Sequence, residues 1–173
     1  ASVLAKAVEM VSVLMEQRQH TLNAVYPDSA MLWHGDPTRL AQVISNLLTN
    51  AARYTPLGGV IHLETRQEEG DVVISVTDNG RGIEEDALPK VFDLFYQGAQ
   101  TIERAAGGLG VGLALVKSLV AAHNATVEAH SAGPGQGSKF TVRLPLPSSD
   151  QLKAIAPEAL ALSRGAVLRR KVL

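Results

Sequence analysis

Apolar residues recur at Val3, Leu4, Ala7, Val8, Val11, Leu14 and Met15, a three-and-four spacing that predicts a leading helix over residues 1–15. Thr21 to Tyr26 and Met31 to His34 are short strand candidates around a Pro27-Asp28-Ser29 turn. Asp36-Pro37-Thr38 reads as a helix start, with Asp as cap and Pro at the first helical position. That helix should run to about Tyr54 and stop before Pro56. From Val60 to Arg66 the chain alternates: Ile61, Leu63 and Thr65 share one face, His62, Glu64 and Arg66 the other. Val72 to Asp78 alternates as well, and Glu68-Glu69-Gly70-Asp71 suits a hairpin turn between the two. Residues 84–92 predict a short helix.

Residues 97–110 are rich in Ala and Gly with weak periodicity, which predicts a mobile loop. Val111 to His123 is an apolar helix opened by glycines, and Asn124 suits its left-handed stop. Val127 and Ala129 share a strand face, as do Phe140, Val142 and Leu144 beyond a glycine-rich turn at 133–137. Residues 148–173 read as a linker that ends in a basic cluster, Arg169-Arg170-Lys171, before Val172 and Leu173.

Composition narrows the function classes. The 173 residues are 46% hydrophobic and 19% charged, enough for a buried core. Lys plus Arg is 16 against 17 for Asp plus Glu, and a net charge of −1 disfavours a broad nucleic-acid surface. There is no Cys, which excludes disulfide scaffolds and thiolate metal sites. The longest apolar stretch, 107–122, is interrupted by Lys117 and rich in Gly, so it is no membrane span. The chain starts at Ala1 without Met and is read as a fragment of a longer protein.

Three patterns could carry chemistry. On the helix after Asp36, Arg39, Gln42, Asn46, Asn50 and Arg53 fall within an arc of roughly 80° at about 100° per residue. Paired Asn one turn apart offer neutral oxygens to Mg2+ and amides to phosphate; periodicity alone fits a solvated polar face better. Asp78 is in phase with the apolar face of its strand, so its carboxylate should be buried and need a donor. Asn79-Gly80-Arg81-Gly82-Ile83 follows, permitting close backbone approach to a ligand or forming an ordinary strand-end turn. Gly107-Gly108-Leu109-Gly110-Val111-Gly112 opens a helix, which suits phosphate or a flexible joint.

Taken in order, these stretches closely resemble the ATP-binding catalytic domain of sensor histidine kinases, in the superfamily shared with DNA gyrase, a heat-shock chaperone and MutL. Residues 36–56 look like the N-box and 78–83 like the first glycine box. Residues 92–97 are similar to the F-box, 108–116 to the second glycine box, and 135–140 to the final glycine turn. The resemblance covers roughly residues 1–146.

The resemblance implies an α+β fold: a two-layer α/β sandwich, a mixed and mostly antiparallel sheet packed on helices, with a flexible ATP lid at 97–110. It implies an ATP-binding domain at 1–147 and a linker at 148–173 that resembles the approach to a receiver domain, as in hybrid kinases. The implied cofactors are ATP and Mg2+. Asn50 would be the main metal ligand, with Asn46 helping to hold metal and phosphates; these two form the catalytic pair. Arg53 would contact phosphate and Tyr54 would pack on the nucleotide. Asp78 would accept from the adenine amine, with Gly80, Gly82 and Ile83 around the base and Ser138 nearby. Phe92 and Phe95 would anchor the lid, Phe95 also meeting the nucleotide. Gly108, Leu109, Gly110, Val111 and Gly112 would line the phosphates.

Two departures bear on the reaction. Gln97 stands where the F-box often ends in Arg, and Arg104 or Arg53 would have to compensate. Asn46 stands where hydrolysing members carry a Glu base; a neutral amide cannot deprotonate water, which favours phosphoryl transfer. None of His20, His34, His62, His123 and His130 lies in the family's acceptor motif. The implied partners are therefore a phosphoacceptor and dimerisation domain of the same protein and a response-regulator receiver domain, with no nucleic acid and no direct membrane contact. The implied location is cytoplasmic, whether or not the parent is membrane-anchored. A nucleotide-sensing pseudokinase, a MutL-like ATPase clamp and an anti-sigma-type serine kinase are the competing readings.

Overall fold

A computed structural model describes residues 2–26, 33, 35–97 and 109–146. Within them lie three α-helices, α1 (Ser2–Gln17), α2 (Pro37–Tyr54) and α3 (Gly112–Ala121). Five strands, β1 (Thr21–Val25), β2 (Val60–Glu68), β3 (Asp71–Asp78), β4 (Thr126–His130) and β5 (Ser138–Pro145), form one sheet in the order β1-β2-β3-β5-β4. β1 runs parallel to β2 and the other neighbours are antiparallel. Parallel neighbours need a crossover, and α2 supplies it. The open mixed sheet under helices is the expected sandwich.

α2 forms where its sequence dictates. Asp36 caps it, its Oδ1 accepting from the N–H of Thr38 at 2.7 Å and of Arg39 at 3.3 Å. Leu40, Val43, Ile44, Leu47, Leu48 and Ala51 are buried on one side. α1 lays Leu4, Ala7, Val11 and Met15 against it, and α3 adds Val116 and Val120. Beneath lie Ile61, Leu63, Val72, Ile74, Val76, Phe140, Val142 and Leu144, the inward positions of β2, β3 and β5. Burial of that many aliphatic side chains, each contributing about 1.5–3 kcal/mol, is what holds the layers together.

The outer sheet face is polar yet partly closed. Val73 is fully buried between its register neighbours Arg66 and Arg143. Glu68 joins those two arginines, at 2.5 Å to Arg66 Nε and 3.0 Å to Arg143 Nη1. The stems of the arginines cover Val73 while their heads stay paired in water.

The turns follow the sequence closely, with one exception. The β2–β3 hairpin turns at Glu69 and Gly70, both with positive φ (39° and 94°), the geometry of a two-residue hairpin. Asn124 takes φ 53° where α3 ends. Residues 84–92, expected to be a short helix, hold only a 3₁₀ turn at Leu88–Lys90. Pro89 has no N–H and disfavours α geometry at Leu88, so the segment closes in successive tight turns, Ala87 N–H to Glu84 O and Lys90 N–H to Ala87 O. The strand candidate at 31–34 apart from Trp33, which is in no strand, most of the 97–110 loop and the linker 148–173 lie outside the described residues.

Candidate functional site

α2 ends at Tyr54 because Pro56 follows, and the chain leaves through a buried Thr55. The loop after β3 returns to that helix end: Arg81 N–H donates to Tyr54 O at 3.1 Å. A Cβ on Gly80 would stand 2.5 Å from Tyr54 O and 2.7 Å from Asp78 Oδ1, so only glycine fits. The loop is also closed onto the 133–137 turn. Gly135 N–H donates to Arg81 O at 2.6 Å and Gly137 N–H to Gly80 O at 3.0 Å. Ser131 Oγ accepts from Ile83 N–H at 3.0 Å and donates to Gly137 O at 2.7 Å.

This scaffold buries Asp78, which is 5% exposed. Its Oδ1 accepts from Gly80 N–H at 2.8 Å and its Oδ2 from Ser138 Oγ at 2.6 Å. Both oxygens keep a lone pair for one further donor. A buried carboxylate so arranged can accept from a further donor.

Asp78 and the α2 stripe meet in one cavity of about 700 Å3. Asn46, Asn50, Arg53 and Tyr54 line it from α2, Asp78, Gly82 and Ile83 from β3 and its loop, and Ser138 from β5. Leu109, Gly110, Val111 and Gly112 close it at the start of α3. The first intrahelical bond there is Leu115 N–H to Val111 O, which leaves the N–H groups of the first turn without helical partners. Asn46 Nδ2 is buried and has no hydrogen-bond partner. A donor in that state can take an oxygen from a ligand or from water.

Not every expected residue reaches the cavity. Arg39 and Gln42, on the same stripe, pair with each other at 3.1 Å in solvent instead. Gly80 stands behind Asp78 and does not line the space. Phe95 departs most from expectation. Its φ is 62°, the residue is 72% exposed, and it is not among the described residues that line the cavity; its N–H donates to Gly110 O at 3.1 Å. Phe92 packs on the core, edge-on to Phe140 with ring centroids 6.1 Å apart. Gly108 and Arg104 lie outside the described residues.

Several lining residues were not singled out from the sequence: Thr49, Arg81, Glu84, Asp86, Tyr96 and Pro134. Thr49 borders the α2 arc by its helical position and could have been found. Two histidines are structural: His20 Nε2 meets Ala52 O at 2.9 Å, and His123 joins Leu119 O at 2.7 Å to Asp36 N–H at 3.3 Å. Among the described residues there is no cluster of three or more His, Asp or Glu fit to hold a metal, and no helix long and apolar enough to cross a membrane.

Residues 35–148 match the model of the histidine kinase-, DNA gyrase B- and HSP90-like ATPase family. The chain belongs to this family, and sensor histidine kinases are among the relatives it matches. It is 35% identical over 143 residues to sensor protein KdpD of Clostridium acetobutylicum, covering 83% of this chain and 16% of that protein. It is 40% identical over 111 residues to sensor-like histidine kinase SenX3 of Mycobacterium tuberculosis, covering 64% of this chain and 27% of that protein. The chain thus spans about a quarter or less of these relatives' lengths. Full-length ShkA solved in complex with AMPPNP superposes with a TM-score of 0.72 at 27% identity, over 86% of this chain and 30% of that one.

Proposed function

We propose that the chain is the catalytic, Mg-ATP-binding part of a two-component sensor histidine kinase, passing the γ-phosphoryl group to a histidine on a dimerisation domain. One observation carries this reading: a buried Asp78 with an acceptor to spare on each oxygen and the Asn46–Asn50 pair with an unpartnered amide line the same cavity. Family membership and the AMPPNP held by ShkA support it.

Asp78 accepts from the exocyclic amine of adenine, and Tyr54 and Ile83 pack on the ring. Asn46 offers its free Nδ2–H to a phosphate oxygen, and Arg53 and the first turn of α3 meet the remaining negative charge. The carboxamide oxygens of Asn50 and Asn46 suit a hard cation, so they would hold Mg2+, which offsets phosphate charge when bound. The protein's part is mostly positioning. In the transfer, the P–O bond to ADP breaks as the acceptor nitrogen bonds to phosphorus. Asn46 cannot take a proton from water, so the site does not favour hydrolysis.

The reading extends to an ATP-binding domain at 1–147, a following linker, a cytoplasmic location, and a receiver domain as the next partner in a phosphorelay. Calorimetric titration with ATP, with and without Mg2+, tests it. The expected result is a Kd of the order of tens of micromolar, or about 6 kcal/mol. A folded chain that releases no heat with ATP in either condition overturns it.

A further inference from the structure

Arg81 sits in the loop after β3, and its guanidinium carbon lies 4.1 Å from the centroid of the Tyr54 ring. Its backbone is tied on both sides, the N–H to Tyr54 O at 3.1 Å and the carbonyl to Gly135 N–H at 2.6 Å. The Cα therefore has one place relative to the end of α2. The side chain is exposed, yet among the described residues no carboxylate forms an ion pair with it, although Glu84 and Asp86 line the same cavity. A planar, weakly hydrated guanidinium gains by stacking on an aromatic face. Among the described residues, the Tyr54 ring is the partner of the Arg81 side chain.

Among the described residues, two arginines line the cavity, from different elements. Arg53 shares α2 with Asn46 and Asn50, whereas Arg81 is three residues from Asp78 and bound to the turns that hold it. We propose that Arg81 is a positioning residue for the base end of the site: it pins the Tyr54 ring as a fixed flat wall on which the purine packs. The inference rests on the nucleotide reading above. A ring already held by the guanidinium leaves less side-chain ordering to be done by the ligand, so binding is tighter than with a free tyrosine. It also explains why an exposed arginine follows the first glycine of a loop otherwise built for close backbone approach.

The test titrates the wild type, Arg81→Ala, Arg81→Lys, Tyr54→Leu and the Arg81→Ala/Tyr54→Leu pair with ATP, ADP and AMP, with thermal unfolding run alongside. Arg81→Ala is expected to weaken all three nucleotides by one common factor of about fivefold, with unfolding nearly unchanged. Arg81→Lys should recover part of the loss. On the Tyr54→Leu background, Arg81→Ala should add nothing, because the partner ring is gone. A loss that grows from AMP to ATP would make Arg81 a phosphate ligand and overturn the inference. So would an undiminished loss on the Tyr54→Leu background, or no loss at all. A wild type that binds none of the three sinks the nucleotide reading, and this inference with it. Wild-type binding with an unaffected Arg81→Ala sinks the inference alone.

Discussion

Ser138 donates its hydroxyl to Asp78 Oδ2 at 2.6 Å, and the two are register partners across β3 and β5. The carboxylate's other oxygen is held by Gly80 N–H, a donor that cannot turn around. In Asp78→Asn the amide oxygen must therefore face Gly80, and the new NH2 group faces Ser138, whose hydroxyl can rotate to accept. The fold should survive. Ligand reading should not, because the NH2 now meets the adenine amine donor to donor. The expected outcome is at least about a hundredfold loss of ATP affinity, near 3 kcal/mol, with a small change in melting temperature. Calorimetry and thermal unfolding on one preparation check both halves.

Asn50 and Asn46 are one helical turn apart and line the same cavity, but Asn46 also carries the buried amide without a partner. If Asn50 holds the metal, Asn50→Ala weakens ATP in Mg2+ by at least about tenfold and leaves ATP in EDTA nearly unchanged. Asn46→Ala should weaken binding in both conditions, since its free N–H serves the phosphates directly. Equal losses in Mg2+ and EDTA for Asn50→Ala would remove the metal from that residue.

How much of this was legible in the sequence depends on whether one element or several fix a residue's place. α2 was legible because Asp36, Pro37 and the apolar spacing all act within one helix. Asp78 was legible because strand phase alone sends it inward. The α2 stripe was legible only as a stripe: Arg39 and Gln42 share the arc of Asn46 and Asn50 but face water, a difference made by what packs opposite. Arg81 and Pro134 come to the cavity through hydrogen bonds between two loops about fifty residues apart, which no local pattern encodes. The exposure of Phe95 was not legible for a related reason. Its backbone, at φ 62°, serves Gly110 and turns the ring outward.

The contact between those two loops can be measured through glycine. Gly82 has φ +73°, and a Cβ there would run into Gly133 O. Gly58 has nearly the same φ, +76°, with nothing within 4 Å. Gly58→Ala should cost about 1 kcal/mol, the backbone strain alone. Gly82→Ala should cost about 3 kcal/mol or more, because Gly135 N–H to Arg81 O at 2.6 Å prevents the loops from moving apart. Urea unfolding of the two variants gives the difference. Similar losses would mean that the loops give way freely.

Two carboxylates tie stability to pH. Asp36 is held below the ordinary carboxylate range by the N–H groups of Thr38 and then Arg39. Glu68 is lowered by its hydrogen bonds from Arg66 and then Arg143. In both, the folded pKa lies below the unfolded one, so the folded state binds fewer protons over the interval between them. The stabilisation is present above the unfolded carboxylate value, near pH 4, and fades as pH falls through the folded values. Urea unfolding between pH 7 and pH 3 should therefore show the full, nearly pH-independent contribution of these groups above about pH 5 and its progressive loss below about pH 4. Asp36→Asn keeps a capping oxygen but has no proton to gain, so it should flatten the acid limb while leaving the helix capped. Glu68→Gln should flatten it too, and weaken the cover over Val73 at neutral pH. An acid limb as steep in both variants as in the wild type would place the titrating groups elsewhere.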